Sequence, residues 1–358
     1  MFVGLAAAIT RYIAGIGAIS NLSDGRGWGL WISFDLYCGV ALASGGFTLA
    51  AAVYIFNMKK FYPIVRSAIL TAFIGYLMVI FALLVDLGQP WRMWHMIIYW
   101  NPHSPLFEVG WCVMLYTGVL ALEFSPNIFE RFNMQAPLRW IRAIQIPLII
   151  AGIVLSTLHQ SSLGSTLLLM PDKIHPLWFS PSLPILFFLS AIAVGPAMVI
   201  VETTLGSKGL GHRVNLEIPA SLGKGLIYLL SLYLVVRLGD VLLAGESGLI
   251  FTDGWYSILF LLEVSGGVIL PLILLALPAV RQNQTAIFWS AMLVVLGLIL
   301  NRFNVSLIAL APRAGVVYFP HPMEFAISIS IVAAGIMAYI LANRYLPIVH
   351  HEPGARTT

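Results

Sequence analysis

The sequence predicts an all-α integral membrane protein of about ten transmembrane helices, and three observations carry that prediction. Of the 358 residues, 59% are hydrophobic and only 9% are charged, whereas an ordinary soluble domain carries about 25% charged residues. The mean hydropathy is +0.92. Apolar runs of roughly 18 to 25 residues, each long enough to cross a bilayer, recur along the whole chain.

Taken in order, the apolar runs place spans over 1–20, 30–57, 66–87, 106–124, 140–160, 183–204, 220–243, 255–277, 285–310 and 321–346. The first run has no basic region before it and carries Arg11 inside it, which reads as a retained helix rather than a cleaved signal. Polar or Pro/Gly-containing segments such as Ser20 to Gly27, Gly206 to Pro219 and Pro312 to Pro322 separate the runs. No connection is long enough to hold a soluble domain.

Charge gives the orientation. The even-numbered loops and the C-terminal tail carry Lys59, Lys60, Arg66, Arg131, Arg139, Arg142, Lys208, Arg213, Lys224, Arg281, Arg344 and Arg356, while the odd-numbered loops carry Arg26, Arg92, Lys173 and Arg313. By the positive-inside rule both termini are expected to be cytoplasmic. The long loops Gly88–Pro105 and Ser161–Ser182 then face outward. Their aromatics, Trp91, Trp94, Tyr99, Trp100 and Trp178, read either as an interfacial belt or as a docking surface for a partner. A net charge of +4 from basic residues scattered in short loops speaks against a nucleic-acid partner. Cys38 and Cys112 form no CxxC pair, so neither an iron–sulfur cluster nor a structural zinc is expected in this chain.

Ionisable residues inside spans are costly and mark polar interiors. Asp35, Asp86, Glu108 and His159 fall in the outer parts of four consecutive spans, where a helical bundle would bring them together. Each also has a structural reading: Asp86 as an ion pair with Arg92, Glu108 as a helix-start carboxylate, Asp35 and His159 as satisfied buried groups. Arg237, Asp240, Glu263 and Arg302 form a second set, read as a salt-bridge network or a proton path. Glu123 and Glu202, near the cytoplasmic ends of their spans, are either proton-uptake groups or exposed helix-end carboxylates. Haem between helices needs two histidines at matching depth, and only His159 lies convincingly near a span end with polar company, so haem and bound metal are disfavoured. A histidine with carboxylates in an apolar pocket suits a quinone, whose carbonyls take up protons as electrons arrive.

The segments GlyLeuTrpIleSerPheAsp at 29–35, GlyGly at 45–46, ValAspLeuGly at 85–88, LeuGluPheSerPro at 122–126, LeuHisGlnSerSerLeuGly at 158–164 and TyrPheProHisProMetGlu at 318–324 resemble the NrfD/PsrC-type family of quinone-interacting membrane subunits. The resemblance covers essentially the whole chain and looks closest to the HybB-type branch, the membrane subunit of nickel–iron uptake hydrogenases. It implies two four-helix bundles with a flanking helix at each end: a helix over 1–20, a first bundle over 21–160 with the quinone site, a periplasmic loop over 161–182, a second bundle over 183–310, and a flanking helix and cytoplasmic tail over 311–358. It also implies a menaquinone or ubiquinone substrate, no haem, and a place in the cytoplasmic membrane of a bacterium or archaeon. The implied partners are a ferredoxin-like iron–sulfur subunit, docked on the 88–105 and 161–182 loops, and a periplasmic catalytic subunit of nickel–iron hydrogenase type. His159 and Asp35 match the family's polar positions best as catalytic residues, Glu108 and Asp86 less closely. Other expectations stay open: a subunit of polysulfide reductase, alternative complex III or a cytochrome-linked quinone reductase, a proton-coupled secondary transporter, or a passive anchor. Gly195–Pro196 and Gly266–Gly267 are weak signs of the broken helices a transporter would have.

Overall fold

The computed structural model describes residues 1–25, 28–210, 216–310 and 318–348, and its elements are all helices. Arg26, Arg213, Arg313 and Arg356, the side chain of Lys208, and His212, His350 and His351 lie outside the described residues. Nine helices there are long and apolar enough to cross a bilayer: α2 (Trp31–Ile55), α3 (Lys59–Asp86), α4 (Pro105–Arg131), α5 (Gln145–Leu167), α6 (Leu183–Ser207), α7 (Glu217–Leu243), α8 (Trp255–Ala276), α9 (Gln284–Ile308) and α10 (Pro322–Tyr345). The expected first span is shorter than its apolar run. Helix α1 (Phe2–Ala14) stops at Gly15, whose φ of +89° leaves the helical region. Its 13 residues reach about 20 Å, against a hydrocarbon core of about 30 Å.

Helices α2 to α5 contact one another in a closed ring, and α6 to α9 close a second ring. Helix α6 also lies against α2 and α5, and α9 against the first turns of α2. A share of 67% of the apolar window of α6 is buried, against 17% for α10, so α6 is the central strut and α10 a peripheral one. Helices α1 and α10 pack on each other, and α10 rests on α2 and α3.

Small residues let the backbones close up, as lipid-embedded helices require. A Cβ added at Gly297 would stand 2.2 Å from Gly267 Cα, so α8 and α9 touch there through backbone. A Cβ at Gly195 would meet Thr48 and Ser44 of α2. Gly195 and Gly267 are thus packing contacts, and the Gly195–Pro196 and Gly266–Gly267 pairs lie inside continuous helical segments rather than at breaks. The interruption falls instead in α2, at Ala43–Ser44, where the Ser44 hydroxyl donates to Ala191 O of α6 at 2.7 Å. Wide π-type turns occupy Trp31–Cys38, Leu262–Ile269 and Asn304–Ile308, a distortion frequent at functional positions.

Two expected boundaries move. Helix α5 runs on to Leu167 rather than ending at 160, which shortens the following loop to 168–182. The hydroxyls of Ser161 and Ser162 donate to Thr157 O and Leu158 O at 2.9 and 2.7 Å, and Thr166 donates to Leu163 O. Bonded back in this way, a polar run stays helical. Helix α4 continues past 124 through Pro126. The Ser125 hydroxyl donates to Leu122 O at 2.7 Å, the carbonyl that Pro126 cannot satisfy.

Candidate functional site

His159 lies eight residues before the end of α5, two helical turns inside the span rather than at its edge. Its imidazole is fully buried. Nδ1 is 2.9 Å from the Tyr76 hydroxyl of α3, while Nε2 has no hydrogen-bond partner. With Tyr76 donating to Nδ1, the ring proton sits on Nε2. Tyr116 of α4 stands edge-on to Tyr76, ring centroids 4.7 Å apart. Both tyrosine hydroxyls lie within electrostatic reach of Ser156, one turn before His159 on α5, whose Oγ has no hydrogen-bond partner. A buried N–H without an acceptor is a costly vacancy in hydrogen bonding, and it is the group a quinone carbonyl would complement.

Asp35 and Asp86 belong to a different setting. Asp35 sits on the π-type turn that opens α2 and is buried; its Oδ2 accepts from Ser328 Oγ of α10 at 2.5 Å. Asp86, at the end of α3, lies within electrostatic reach of Glu324, Arg11 and Asp35. Arg11 is buried and spends its guanidinium on the last carbonyls of α3, donating from Nε to Val85 O at 2.6 Å and from Nη2 to Leu87 O. That puts a cation at a helix C-terminus, where the dipole favours it. Glu324, also buried, accepts from the Asn21 and His321 amides at 3.0 Å and from the Tyr318 hydroxyl. The flanking helices therefore supply the surroundings of Asp35 and Asp86. Among the described residues no hydrogen bond or ion pair joins His159 to Asp35, Asp86 or Glu108. Glu108 is half-buried in the first turn of α4, behind the Ser104 cap.

The second set does assemble. Glu263, on the π-type turn of α8, accepts from Trp178 Nε1 at 2.9 Å and from Asn301 and Asn304 of α9 at 2.8 Å each. Arg237 of α7 lies 3.9 Å from both Glu263 and Asp240, and donates to Leu177 O at 3.1 Å. Arg302 donates to Asn301 Oδ1 and Ser190 Oγ at 2.7 Å, and its guanidinium lies over the Phe187 ring at 3.7 Å. Asp240 accepts from Ser180 Oγ. Two arginines and two carboxylates with this many partners form a neutral network that holds α6 to α9 together.

That network corrects one expectation about the 161–182 loop. Trp178 is 1% exposed, and its segment plugs the end of the second ring through the bonds to Glu263, Arg237 and Asp240. His175 Nε2, 2.6 Å from Asp253 Oδ2, ties the same segment to the loop before α8. Trp91, Trp94, Tyr99 and Trp100, by contrast, are 52–70% exposed. Of these two connections it is 88–105 that presents exposed aromatics.

Toward the opposite end, Glu202 of α6 accepts from Tyr339 of α10 at 2.9 Å and from Ser67 of α3, and its Oε2 has no partner. Glu123 seats against Gly152, its Oε1 3.4 Å from where a Cβ would be, and lies within electrostatic reach of Tyr116. Tyr76, Tyr116, Ser156, Asn301 and Asn304 escaped the sequence reading, and Arg11, Trp178 and Glu324 appeared in it without these roles. Tyrosines and serines in apolar runs give no charge signal, although the Asn301–Arg302–Asn304 run in an otherwise apolar span was a visible one.

The family model described as "Polysulphide reductase, NrfD" matches residues 19–311. A protein of Nitratidesulfovibrio vulgaris is 40% identical over 99% of this chain and 93% of its own length. The probable Ni/Fe-hydrogenase 2 b-type cytochrome subunit of Escherichia coli is 36% identical over 95% of this chain and 88% of its own. The integral membrane subunit of menaquinone reductase from Nitratidesulfovibrio vulgaris is 31% identical over 98% and 89%. With a multi-pass helical fold and a family match over most of its length, the chain belongs to the NrfD family of membrane subunits.

Proposed function

We propose that this chain is the membrane subunit of a respiratory oxidoreductase complex that passes electrons from an iron–sulfur protein to menaquinone or ubiquinone. The observation that carries the reading is the buried His159, with Nδ1 held by Tyr76 and Nε2 left without a partner. A quinone oxygen accepts from Nε2–H, and the imidazole hands over that proton as electrons arrive from the partner. Because the imidazole is fully buried, the quinone head reaches it by displacing side chains around α2 to α5. Asp35, bonded to Ser328 of α10 beside the α1–α10 junction, serves the outer side of the same ring of helices, with Glu108 at its rim.

The exposed aromatics of the 88–105 connection form the docking face for the iron–sulfur protein. The two hydrogenase- and quinone-named relatives support a nickel–iron hydrogenase as the catalytic subunit and menaquinone as the acceptor. The chain lies in the cytoplasmic membrane with its C-terminus inside, as its charge bias favours. The nine long spans alone start outside at α2, so an N-terminus inside needs the run from α1 to residue 20 to complete a tenth crossing. The Escherichia coli relative's name speaks of a b-type cytochrome. Among the described residues His159 is the one histidine within a long membrane span, so paired axial imidazoles for a haem are not assembled there.

A proton-translocating role for the second ring has one specific observation behind it. Cavities of about 30 Å³ and 10 Å³ border Glu263, Tyr233, Arg237, Arg302 and Asn301, room for roughly two waters and one.

The reading is tested by purifying the detergent-solubilised chain from its native membrane and identifying what comes with it. Recovery of an iron–sulfur protein, a hydrogenase-type large subunit and a quinone is the expected result. A chain that purifies alone, with neither quinone nor redox partner, contradicts the reading and favours a transporter.

A further inference from the structure

Between Glu123 and His159 the first ring contains a line of hydroxyls that binding a quinone does not require. Tyr76, Tyr116 and Ser156 are each 1% exposed. Tyr76 meets His159 Nδ1 at 2.9 Å. Ser156 lies within electrostatic reach of the hydroxyls of Tyr76 and Tyr116, its own Oγ free of a hydrogen-bond partner, and Tyr116 and Glu123 both stand against Gly152 of α5. Tyr116 is within electrostatic reach of Glu123, whose carboxylate rests on Gly152 of α5. No ion pair holds Glu123 among the described residues.

The register of the two helices makes the line continuous. Glu123 precedes the end of α4 nearest Arg131, and Tyr116 lies seven residues from it toward the outer end. On the antiparallel α5, Gly152 and His159 are likewise seven residues apart, a rise of about 10 Å. Glu123 beside Gly152 and Tyr76 beside His159 are therefore the two ends of one polar thread about 10 Å long. Phenylalanine in place of either tyrosine, and alanine in place of Ser156, would fill the same space without burying a hydroxyl. Packing alone thus gives no reason for three such groups in one line.

We infer that Glu123, Tyr116, Ser156 and Tyr76 are a proton relay that draws protons from the cytoplasmic side and delivers them to His159, an inference that rests on quinone reduction at His159. Each hydroxyl accepts one proton and releases its own, so none keeps a charge. Tyr76 passes a proton to Nδ1 as the proton on Nε2 goes to a quinone oxygen. A ring flip then turns Nδ1–H to the quinone and Nε2 to Tyr76. The second proton leaves from Nδ1 as Nε2 takes the next from Tyr76, and flipping back returns the Nε2–H tautomer to its starting position. Glu123 is reprotonated from the cytoplasmic side. Two such transfers, with two electrons from the iron–sulfur partner, convert one quinone to one quinol.

The test uses the intact complex reconstituted in vesicles, driven by the reductant of its co-purifying catalytic subunit, with decylubiquinone and a short-chain menaquinone as the acceptors tried. Rate and the side of proton uptake are read together. Tyr116→Phe, Ser156→Ala and Glu123→Gln, assembled at wild-type level, are expected to lower kcat at least tenfold with KM within twofold. They should also lose proton uptake from the cytoplasmic side, and Glu123→Asp should regain part of both. Tyr116→Phe removes a single oxygen; were it to accumulate poorly, Glu123→Gln and its Asp rescue carry the test. Wild-type rates in these variants while His159→Ala is inactive overturn the relay and leave the quinone site standing. Slowed turnover with cytoplasmic uptake per electron unchanged also overturns it, since the residues are then structural. A His159→Ala complex at the wild-type rate overturns both.

Discussion

Single side chains divide here into those fixed by partners and those left waiting for one. Glu263 is fixed: an indole, two asparagine amides and a nearby arginine surround it. Removing the anion strands all of them in a low-dielectric interior. Glu263→Leu is expected to destabilise the purified protein by about 3–5 kcal/mol. Trp178→Phe, which loses one donor and keeps most of the ring, should cost about 1–3 kcal/mol. Trp100→Phe, at a position 65% exposed, should leave the thermal midpoint where it was. Equal midpoints for Trp178→Phe and Trp100→Phe would remove the loop plug from the account. Asp35, bonded to Ser328, and His159, with a free Nε2, stand at the other pole. Sequence alone flagged all three residues, because charge and imidazole stand out in an apolar run. It could not separate the fixed from the unfixed, since that depends on Tyr76, Ser328 and Asn304 from other helices.

At the scale of elements, the spans were legible wherever length and hydropathy decide, and illegible where hydrogen bonds do. Polar Ser161 to Thr166 read as loop, yet their hydroxyls return to the helix and carry α5 two turns further. This extension is what moves His159 from the membrane edge into the interior. The expected fourth span ended at 124, but α4 runs on through Pro126, where Ser125 closes the gap. Gly15, with φ +89°, halts α1 inside an apolar run. The glycine pairs were misread in the opposite sense, as breaks rather than contacts. The Gly267–Gly297 approach yields a prediction of its own. Gly297→Leu forces α8 and α9 apart at backbone contact and is expected to lower stability by at least 1–3 kcal/mol on the scale of overpacked cores, about 2 kcal/mol as a central value. Gly239→Ala, with nothing within 4 Å of the added methyl, should be silent. Thermal unfolding in detergent compares the two, and a silent Gly297→Leu would mean that the helices are not in contact there.

For the molecule as a whole, the family and the helical membrane fold were visible from composition and a handful of segments, whereas the arrangement of the ionisable residues was not. The expectation that Asp35, Asp86, Glu108 and His159 meet at one point gives way to two settings. His159 lies among the hydroxyls of α3, α4 and α5; Asp35 and Asp86 lie where α1 and α10 close against the first ring. Arg11 and Glu324, from opposite ends of the chain, complete the second setting, and no spacing in the sequence announces a contact over that distance. The Arg237–Glu263–Arg302 network and the buried plug under Trp178 make the second ring the rigid half. On the function proposed above, His159, with Nδ1 held by Tyr76 and Nε2 without a partner, makes the first ring the chemical half. The central claim is therefore that quinone meets His159, and it is tested most directly by the quinone-reductase rate of the assembled complex carrying His159→Ala. With the partner subunits retained at wild-type level, quinone reduction is expected to disappear. Reduction at the wild-type rate in that assembled complex would contradict the claim and leave His159 a structural residue.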